Sequence, residues 1–313
     1  LRGVFAQPRN LLRPSFLRML RDVLRFNRES LGMLSLGDEK VSLGEYLCGA
    51  GYSSEFVDHY VVPMGAAIWS ADPAAFLRIP AATFVRFFEN HGLLEASPSL
   101  TWRVVQGGSA RYVEKLVAPF RERIRVACPV HAVRRRRDGV DVSAADGVNR
   151  FDHLVLAVHS DQALQILADP SGLERQILNR VCFQRNEVVL HTDASLMPRS
   201  RNVWASWNYR VPREAGERVL VTYDMNRLQG FSSRHRFLVT LNPAGRIDPS
   251  HVLRRFNYDH PVFDADAISA QKLHAELSQQ RRTHYCGAWW GYGFHEDGVK
   301  SAIAACAHLQ GGR

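Results

Sequence analysis

The sequence predicts an α/β protein made of two parts that are interleaved along the chain. Residues 1–100 carry the apolar spacing of short helices, and residues 184–260 contain several strand-like segments. The final stretch, Arg282 to Gly311, combines a strand, a glycine-rich loop and a helix. Hydrophobic residues make up 46% of the 313 residues and charged residues 23%, which is the composition of a folded globular chain.

The N-terminal part is predicted to be helical, with one amphipathic helix over residues 11–28. Apolar residues recur there at helical spacing with arginines between them: Leu12, Phe16, Met19, Leu20, Val23 and Leu24 alternate with Arg13, Arg18, Arg21, Arg25 and Arg28. Two interpretations are open. The helix packs in a substrate domain through its apolar stripe, or it docks on an anionic membrane. A further helix is expected over 81–91, because Pro80 precedes it and Gly92 follows it.

The middle of the chain changes to a pattern of strands and turns. A helix is predicted over 109–118, and a hairpin over 130–137 and 139–144 is predicted to turn at Asp138-Gly139. Residues 151–158 are almost continuously apolar, which suits a buried strand in a parallel sheet. Strands of a separate mixed sheet are predicted at 186–191, 203–209, 218–224 and 236–241, followed by a helix at 266–278.

The closing segment is predicted to form a strand over 282–287, a loop rich in glycine and aromatic residues, and a helix over 298–309. Glycines let a ligand approach the backbone closely, and the free N–H groups at a helix start favour negative charge. A reduced flavin ring carries negative charge, so such a segment would stabilise it. On local spacing alone, an ordinary loop with a closing helix also explains the segment.

The order of the middle segments is informative in itself. Gly107-Gly108 precedes a helix, Cys128-Pro129-Val130 follows a short strand, and Phe151-Asp152-His153-Leu154-Val155 follows an arginine-rich hairpin. Together with the closing segment, this order resembles the flavin-containing amine oxidase and desaturase superfamily, and more closely a bacterial subfamily of NAD/FAD-binding (amine-oxidase-domain) proteins. The other matching stretches are 59–70, 87–94, 204–209, 222–229 and 293–298, so the resemblance covers essentially the whole chain.

The resemblance implies FAD as the cofactor and a division of the chain into interleaved domains. A partial FAD-binding Rossmann-like domain would comprise 101–165 and 280–313. A substrate domain would take its helices from 1–100 and its mixed β-sheet from 166–279.

The chain departs from the superfamily pattern at two places. No Gly-x-Gly-x-x-Gly motif for the FAD pyrophosphate occurs, so we expect that unit to belong to a missing N-terminal segment of the same protein. The fragment is then expected to be inactive by itself. At the end of the last strand, Ala288 stands where many relatives carry an acidic residue, and Glu296 or Asp297 are the candidates to take part of its role.

The resemblance also implies roles for individual residues. The Val130 backbone would lie near the adenine of FAD. The ribityl chain and flavin ring would be surrounded by Gly287, Ala288, Glu296, Asp297, Gly298 and Val299. His295 falls where relatives place an aromatic side chain facing the flavin, and it is the catalytic candidate. Candidates for the substrate pocket are His59, Trp204, Trp207, Asn208 and Tyr223.

The activity implied is FAD-dependent oxidation of a C–H bond next to nitrogen, or a desaturation, with hydride transfer to the flavin. The basic helix 11–28 favours an acyl-lipid or another apolar substrate. The alternatives are a small-amine oxidase and a non-catalytic module that binds lipid or a membrane surface.

Charge and cysteine content limit which binding partners and which cellular location are expected. The net charge is +9, and the run Arg134–Arg137 is most simply a solvated hairpin face. No nucleic-acid recognition motif accompanies it, so we predict no nucleic-acid partner and, lacking a compact ligand set, no metal site. The five cysteines are far apart without CxxC spacing, which favours reduced thiols and a cytoplasmic location, with peripheral membrane contact through 11–28.

Overall fold

The structure, a computed structural model, describes residues 6–36, 40–95, 101, 103–211, 220–278 and 280–311. Helices and strands are mixed throughout, and the predicted α/β class is confirmed. None of the helices within these ranges is long and apolar enough to cross a membrane.

Contacts divide the chain into two compact units. Unit 1 comprises Leu1–Leu116 and Gln184–His260, and unit 2 comprises Val117–Phe183 and Pro261–Arg313. Each unit is therefore assembled from two separated stretches. The contacts place 101–116 in unit 1 and 166–183 and 261–279 in unit 2. The expected FAD-binding domain contained the first of these stretches, and the expected substrate domain contained the other two. The assignment of cofactor and substrate to particular units stays a prediction.

The α-helices in the described ranges are α1 (Pro14–Glu29), α2 (Gly32–Leu36), α3 (Leu43–Gly49), α4 (Ser54–Phe56), α5 (Val62–Trp69), α6 (Pro73–Phe76), α7 (Ala81–Asn90), α8 (Ala110–Val117), α9 (Ser160–Ile166), α10 (Gly172–Leu178), α11 (Met225–Gln229), α12 (Ala265–Gln271), α13 (His274–Ser278) and α14 (His295–Gly311). The predicted helices at 81–91 and 109–118 are confirmed as α7 and α8. The predicted helix 266–278 is divided into α12 and α13.

The strands are β1 (Val130–Arg135), β2 (Val140–Ala144), β3 (Gly147–Phe151), β4 (Leu154–Leu156), β5 (Phe183–His191), β6 (Trp207–Arg210), β7 (Leu220–Asp224), β8 (Leu238–Leu241), β9 (Val252–Pro261) and β10 (Thr283–Tyr285). They form a five-stranded sheet of order β6-β7-β8-β5-β9, a meander β1-β2-β3 and a parallel pair β10-β4.

The helices of unit 1 pack around a cluster of aromatic rings. Phe26 of α1 and Phe84 of α7 are fully buried, with ring centroids 6.0 Å apart. Their further ring neighbours are Tyr46, Tyr52, Phe56, Trp69, Phe76 and Phe88. The predicted helix 11–28 starts later than expected, because residues 8–12 form a 3-10 helix and Pro14 opens α1.

The sheet of unit 1 contains one strand that the sequence pattern did not predict. The predicted strands correspond to β5, β6, β7 and β8, of which the pairs β6–β7, β7–β8 and β8–β5 are antiparallel. The additional strand, β9, lies at the sheet edge, and most of its side chains are exposed or half-buried. Charged residues on an edge strand hide the apolar alternation by which strands are predicted.

Unit 2 contains the predicted hairpin as β1 and β2, and corrects the prediction of one strand over 151–158. The chain leaves the meander after Phe151 and enters the parallel pair at Leu154. The parallel position is thus confirmed for three residues, but Val155 is 43% exposed and does not have the expected burial. The core of unit 2 lies around Ile177, Leu178 and Leu277 of its helices and Tyr285 of β10.

Candidate functional site

The strand that leads into the closing loop is held by a buried ionic network. The hydroxyl of Tyr285 on β10 donates a hydrogen bond to Glu174 Oε1 at 2.6 Å. The guanidinium of Arg135 donates to both oxygens of Glu174, at 2.6 and 2.9 Å, and to Asp169 at 2.9 Å. Arg135 is 7% exposed and Glu174 is 1% exposed, so the pair is shielded from water.

The charges of this network are strongly stabilised. Burial by itself raises the pKa of the Glu174 carboxyl, but hydrogen bonds from Arg135 and Tyr285 outweigh it and lower the pKa to about 2. Burial and the adjacent carboxylate raise the pKa of the Tyr285 phenol far above its ordinary value. Glu174 therefore stays ionised and Tyr285 stays a donor throughout the physiological range of pH.

The arginine run that contains Arg135 was expected to be a solvated face, and this is wrong for one of its four members. Arg134, Arg136 and Arg137 are exposed, whereas Arg135 points into the unit. Side chains alternate between the two faces of a strand, so a run of identical residues is divided by β1 into two environments.

A serine clamps the end of β10 to the first turn of α14. The N–H of Gly287 donates to Ser301 Oγ at 2.9 Å, and the same hydroxyl lies 2.8 Å from the Gly298 carbonyl oxygen. A side chain is excluded at Gly287, because its φ is 156° and a Cβ would lie 2.7 Å from the indole nitrogen of Trp289. The residue before it, Cys286, is buried, and its N–H donates to the Leu156 carbonyl at 3.0 Å.

The start of α14 lies three residues earlier than predicted, because Asp297 caps it. Its carboxylate accepts the N–H of Phe294 at 3.0 Å. It also lies so close to Gly291 that a Cβ there would approach its Oδ1 to 2.5 Å. Asp297 thus has a local role that competes with the expected contact to a flavin. Glu296 is exposed and 4.0 Å from Lys300 Nζ.

The loop and helix start have features that fit a flavin. Ala288 and Gly298 are close, since a Cβ on Gly298 would lie 3.8 Å from the Ala288 nitrogen. Any larger residue at Gly298 would fill that space. Within the described part of the chain, the buried indole N–H of Trp290 has no hydrogen-bond acceptor. His295 and Val299 are exposed at the helix start, whose first-turn N–H groups have no acceptors within the helix itself.

Val130, the residue expected near the adenine, lines a cavity of about 510 Å³ in unit 2. Its wall carries charges of both signs, from Arg123, Arg125 and Glu122, and Arg125 is paired with Asp146 at 2.7 Å. Phe151 and Asn149 contribute an aromatic ring and an amide. An aromatic ring beside an amide suits a flat ligand with hydrogen-bonding edges.

The substrate-pocket candidates all belong to unit 1. Trp207 and Tyr223 are cross-strand partners whose rings meet edge to face, 5.8 Å apart. The Asn208 amide is bonded to the backbone of Ala205 and Thr222. The Trp204 indole N–H donates to the Pro198 carbonyl at 2.7 Å. His59 is exposed on a π-helical turn, Val57–Val61. These assignments stay predictions.

Four residues of the site were not singled out from the sequence: Arg135, Glu174, Tyr285 and Ser301. For one of them a signal exists, because Ser171-x-x-Glu174 has the spacing of a capping box, which α10 indeed forms. The role of Ser301 depends on the packing of α14 against β10, which no local pattern reveals.

Solved structures with this fold include enzymes of different reactions. The chain is similar to a CLA-producing fatty acid isomerase from P. acnes, with 15% identity, a TM-score of 0.64, and 95% of this chain and 75% of the other covered. Cyclohexylamine oxidase from Brevibacterium oxydans is 13% identical, with a TM-score of 0.59, and the match covers 87% of this chain and 68% of the oxidase. Putrescine oxidase bound to putrescine is 13% identical, with a TM-score of 0.62, and the match covers 95% of this chain and 75% of the oxidase. No curated protein matches the sequence.

The family to which the chain belongs is shown by a comparison of its sequence with models of protein families. The model of flavin-containing amine oxidoreductases matches residues 4–310, which confirms the resemblance found in the sequence and identifies FAD as the cofactor. The chain therefore belongs to the flavin-containing amine oxidoreductase family, whose chemistry is FAD-dependent oxidoreduction.

Proposed function

We propose that unit 2 supplies the flavin-ring half of an FAD site, and that the enzyme oxidises a C–H bond of an apolar, acyl-lipid-like substrate. The observation that carries the proposal is the clamp at Ser301, which fixes the end of β10 against the start of α14. A bound flavin supplies the acceptor for a hydride taken from the substrate.

The residues of the closing segment have complementary roles in this proposal. The first-turn N–H groups of α14 and the helix dipole stabilise negative charge on the ring. Gly287, Ala288 and Gly298 allow close approach, and Asp297 keeps the helix start in place through its bond to Phe294. The cavity at Val130 receives the adenine end. His295, at the helix start, is the proposed residue on the substrate side.

The preference for an apolar substrate has two supports. The rings of Trp207 and Tyr223 are inclined at 74°, so this pair does not form the parallel walls that enclose an ammonium group. One similar structure is that of a fatty acid isomerase. Two other similar structures, a cyclohexylamine oxidase and a putrescine oxidase, keep a small-amine substrate as the second candidate.

The first experiment measures FAD binding by the 313-residue chain through quenching of flavin fluorescence. We expect weak binding, because no Gly-x-Gly-x-x-Gly motif is present to hold the pyrophosphate. Gly298→Val should abolish it by filling the space beside Ala288. The matched control is Gly172→Val, where a Cβ meets nothing within 4 Å. Equal binding by Gly298→Val and the unaltered chain would overturn the proposed ring site. Tight, stoichiometric binding would show that these 313 residues hold FAD without such a motif.

The second experiment identifies the substrate class. The FAD-saturated chain is mixed anaerobically with an unsaturated fatty acid or with a primary alkylamine, and the visible flavin absorbance is followed. Bleaching by the fatty acid supports the proposed substrate, and bleaching by the amine alone replaces it with the amine oxidase. A chain that takes up no FAD at any concentration but sediments with lipid vesicles supports the non-catalytic lipid-binding alternative.

A further inference from the structure

The orientation of α1 is set by two residues on its inner face. Phe26 is fully buried among aromatic rings. Asp22 is fully buried as well, and its carboxylate accepts hydrogen bonds from the Ser53 N–H at 3.0 Å and the Ser53 hydroxyl at 2.6 Å. These contacts fix the inner face of the helix against unit 1 and thereby define which face is directed to solvent.

The outer face of α1 carries both leucines and arginines. At about 100° per residue, its members fall within an arc of about 60°: they are Leu17, Arg21, Leu24 and Arg28. The exposed Arg13 precedes them as the N-cap of the helix. Leu17 is 48% exposed and Leu24 is 57% exposed. The preceding 3-10 helix adds Leu12, which is 86% exposed, and the exposed Arg9. These exposed leucines give the two helices an apolar component of the kind that marks an interaction site.

The acidic groups of α1 leave most of the positive charge of this face in place. Asp22 is buried on the opposite side, where its carboxylate lies 3.5 Å from the Arg21 guanidinium, and Glu29 is paired with Arg25 at 3.0 Å. On the flank, Arg18 is paired with Glu55 at 3.0 Å. The outer arc of residues 13–28 therefore presents cations between leucines and no carboxylate.

A bilayer with anionic headgroups complements both components of this face. Arginines gain energy at the negatively charged surface, and leucines gain energy by entering the boundary of the acyl chains. A nucleic acid would match the arginines but would leave the leucines in water. We propose that the outer face of α1, together with the 3-10 helix Pro8–Leu12, docks on anionic lipid membranes. The proposed redox activity is not required for this, because the readout is binding.

The test is co-sedimentation of the 313-residue chain with vesicles of phosphatidylcholine alone or with about one third phosphatidylglycerol. We expect binding to the anionic vesicles, weakened by salt. The triple variant Arg13→Gln/Arg21→Gln/Arg28→Gln should lower the partition constant about a hundredfold, since each arginine contributes about a fivefold factor. A matched control removes three exposed arginines elsewhere, Arg134→Gln/Arg137→Gln/Arg175→Gln, and should change the partition constant much less.

A second variant separates lipid insertion from charge. Leu17→Ser/Leu24→Ser keeps every charge, lies on the exposed face and should lower the partition constant at least tenfold with the salt dependence retained. Circular dichroism checks that α1 is still folded. Unchanged binding by the serine variant, equal effects of the two triple variants, or equal binding to both kinds of vesicle would each overturn the proposal. If the chain does not bind vesicles but forms dimers, and the serine variant dissociates them, this face instead joins two copies of the chain.

Discussion

The two units differ in the kind of interaction that holds their interiors together. In unit 1, the helices meet around Phe26 and Phe84 through a cluster of aromatic rings, and hydrogen bonds from Ser53 to the buried Asp22 lie beside it. In unit 2, the strand before the closing loop is held by Arg135, Glu174 and Tyr285 through short, charged hydrogen bonds. The central side chains of both clusters, Phe26 and Phe84 in one and Glu174 and Tyr285 in the other, are shielded from water, so their loss is costly.

The two clusters also differ in how strictly they fix the positions of the atoms around them. Apolar packing tolerates rearrangement as long as volume is conserved. Hydrogen bonds to an ionised group have fixed directions and lengths, so they determine where the backbone of Tyr285 lies. Gly287 follows two residues later, which places the directional network next to the backbone that the proposed ring site uses. Substitutions in each cluster distinguish stabilisation by apolar packing from stabilisation by charged hydrogen bonds.

The largest effect is expected for Phe84→Ala in the aromatic cluster. Loss of the ring removes buried area and leaves a cavity among four neighbouring rings, at a cost of about 3–5 kcal/mol in the free energy of unfolding. Urea unfolding followed by tryptophan fluorescence measures it. The control Phe231→Ala, at a half-exposed ring of the same unit, should cost about 0.5 kcal/mol. Phe84→Leu should lose much less stability than Phe84→Ala, because another apolar side chain fills most of the volume.

A similar loss is expected for Glu174→Ala in unit 2, by a different cause. The substitution leaves the Arg135 guanidinium buried with Asp169 as its remaining carboxylate, and breaking such a pair costs about 3–5 kcal/mol. The double variant Arg135→Met/Glu174→Leu removes both charges and should restore most of the stability. If the double variant is as unstable as Glu174→Ala, the network acts through its shape and not through its charges.

A smaller effect is expected from acid. The Glu174 pKa is about 2 in the folded chain and 4.5 as its ordinary value, so its ionisation stabilises the fold above about pH 4.5. That contribution is lost as the pH falls towards 2. Glu174→Gln should therefore flatten the dependence of the unfolding midpoint on pH between 5 and 3. Parallel pH profiles for the variant and the unaltered chain would contradict the lowered pKa.

The smallest effect on stability is expected for Ser301→Ala, which leaves the Gly287 N–H without its acceptor. The cost is about 1–3 kcal/mol. FAD affinity should fall by more than stability explains, because the end of β10 is released from α14. The exposed control Ser54→Ala should change neither quantity. A loss of stability with unchanged FAD affinity would reduce the clamp to a structural role.

Local patterns were sufficient for most elements and insufficient for the contacts of the site. The helix α7 and the hairpin β1–β2 were predicted because periodicity, Pro80, Gly92 and Asp138-Gly139 are signals within the element. The division of 151–158 between two sheets was not, because it depends on which strands lie alongside. The same holds for Arg135, whose partner Glu174 is 39 residues away. The composition of the closing segment indicated a ligand, but the Ser301 clamp requires the packed structure.

The buried thiol next to this clamp has a practical consequence. Cys286 immediately precedes Gly287, and burial raises the pKa of its thiol, whereas Cys48, Cys182 and Cys306 are exposed and Cys128 is partly so. Because thiolates are the reactive form, the four accessible cysteines should be alkylated first and Cys286 should react when β10 and α14 separate. The rate at which Cys286 is modified therefore measures how often the proposed flavin site opens locally, and no cysteine has to be introduced for the measurement. Mass spectrometry can time it without any added label on the ligand.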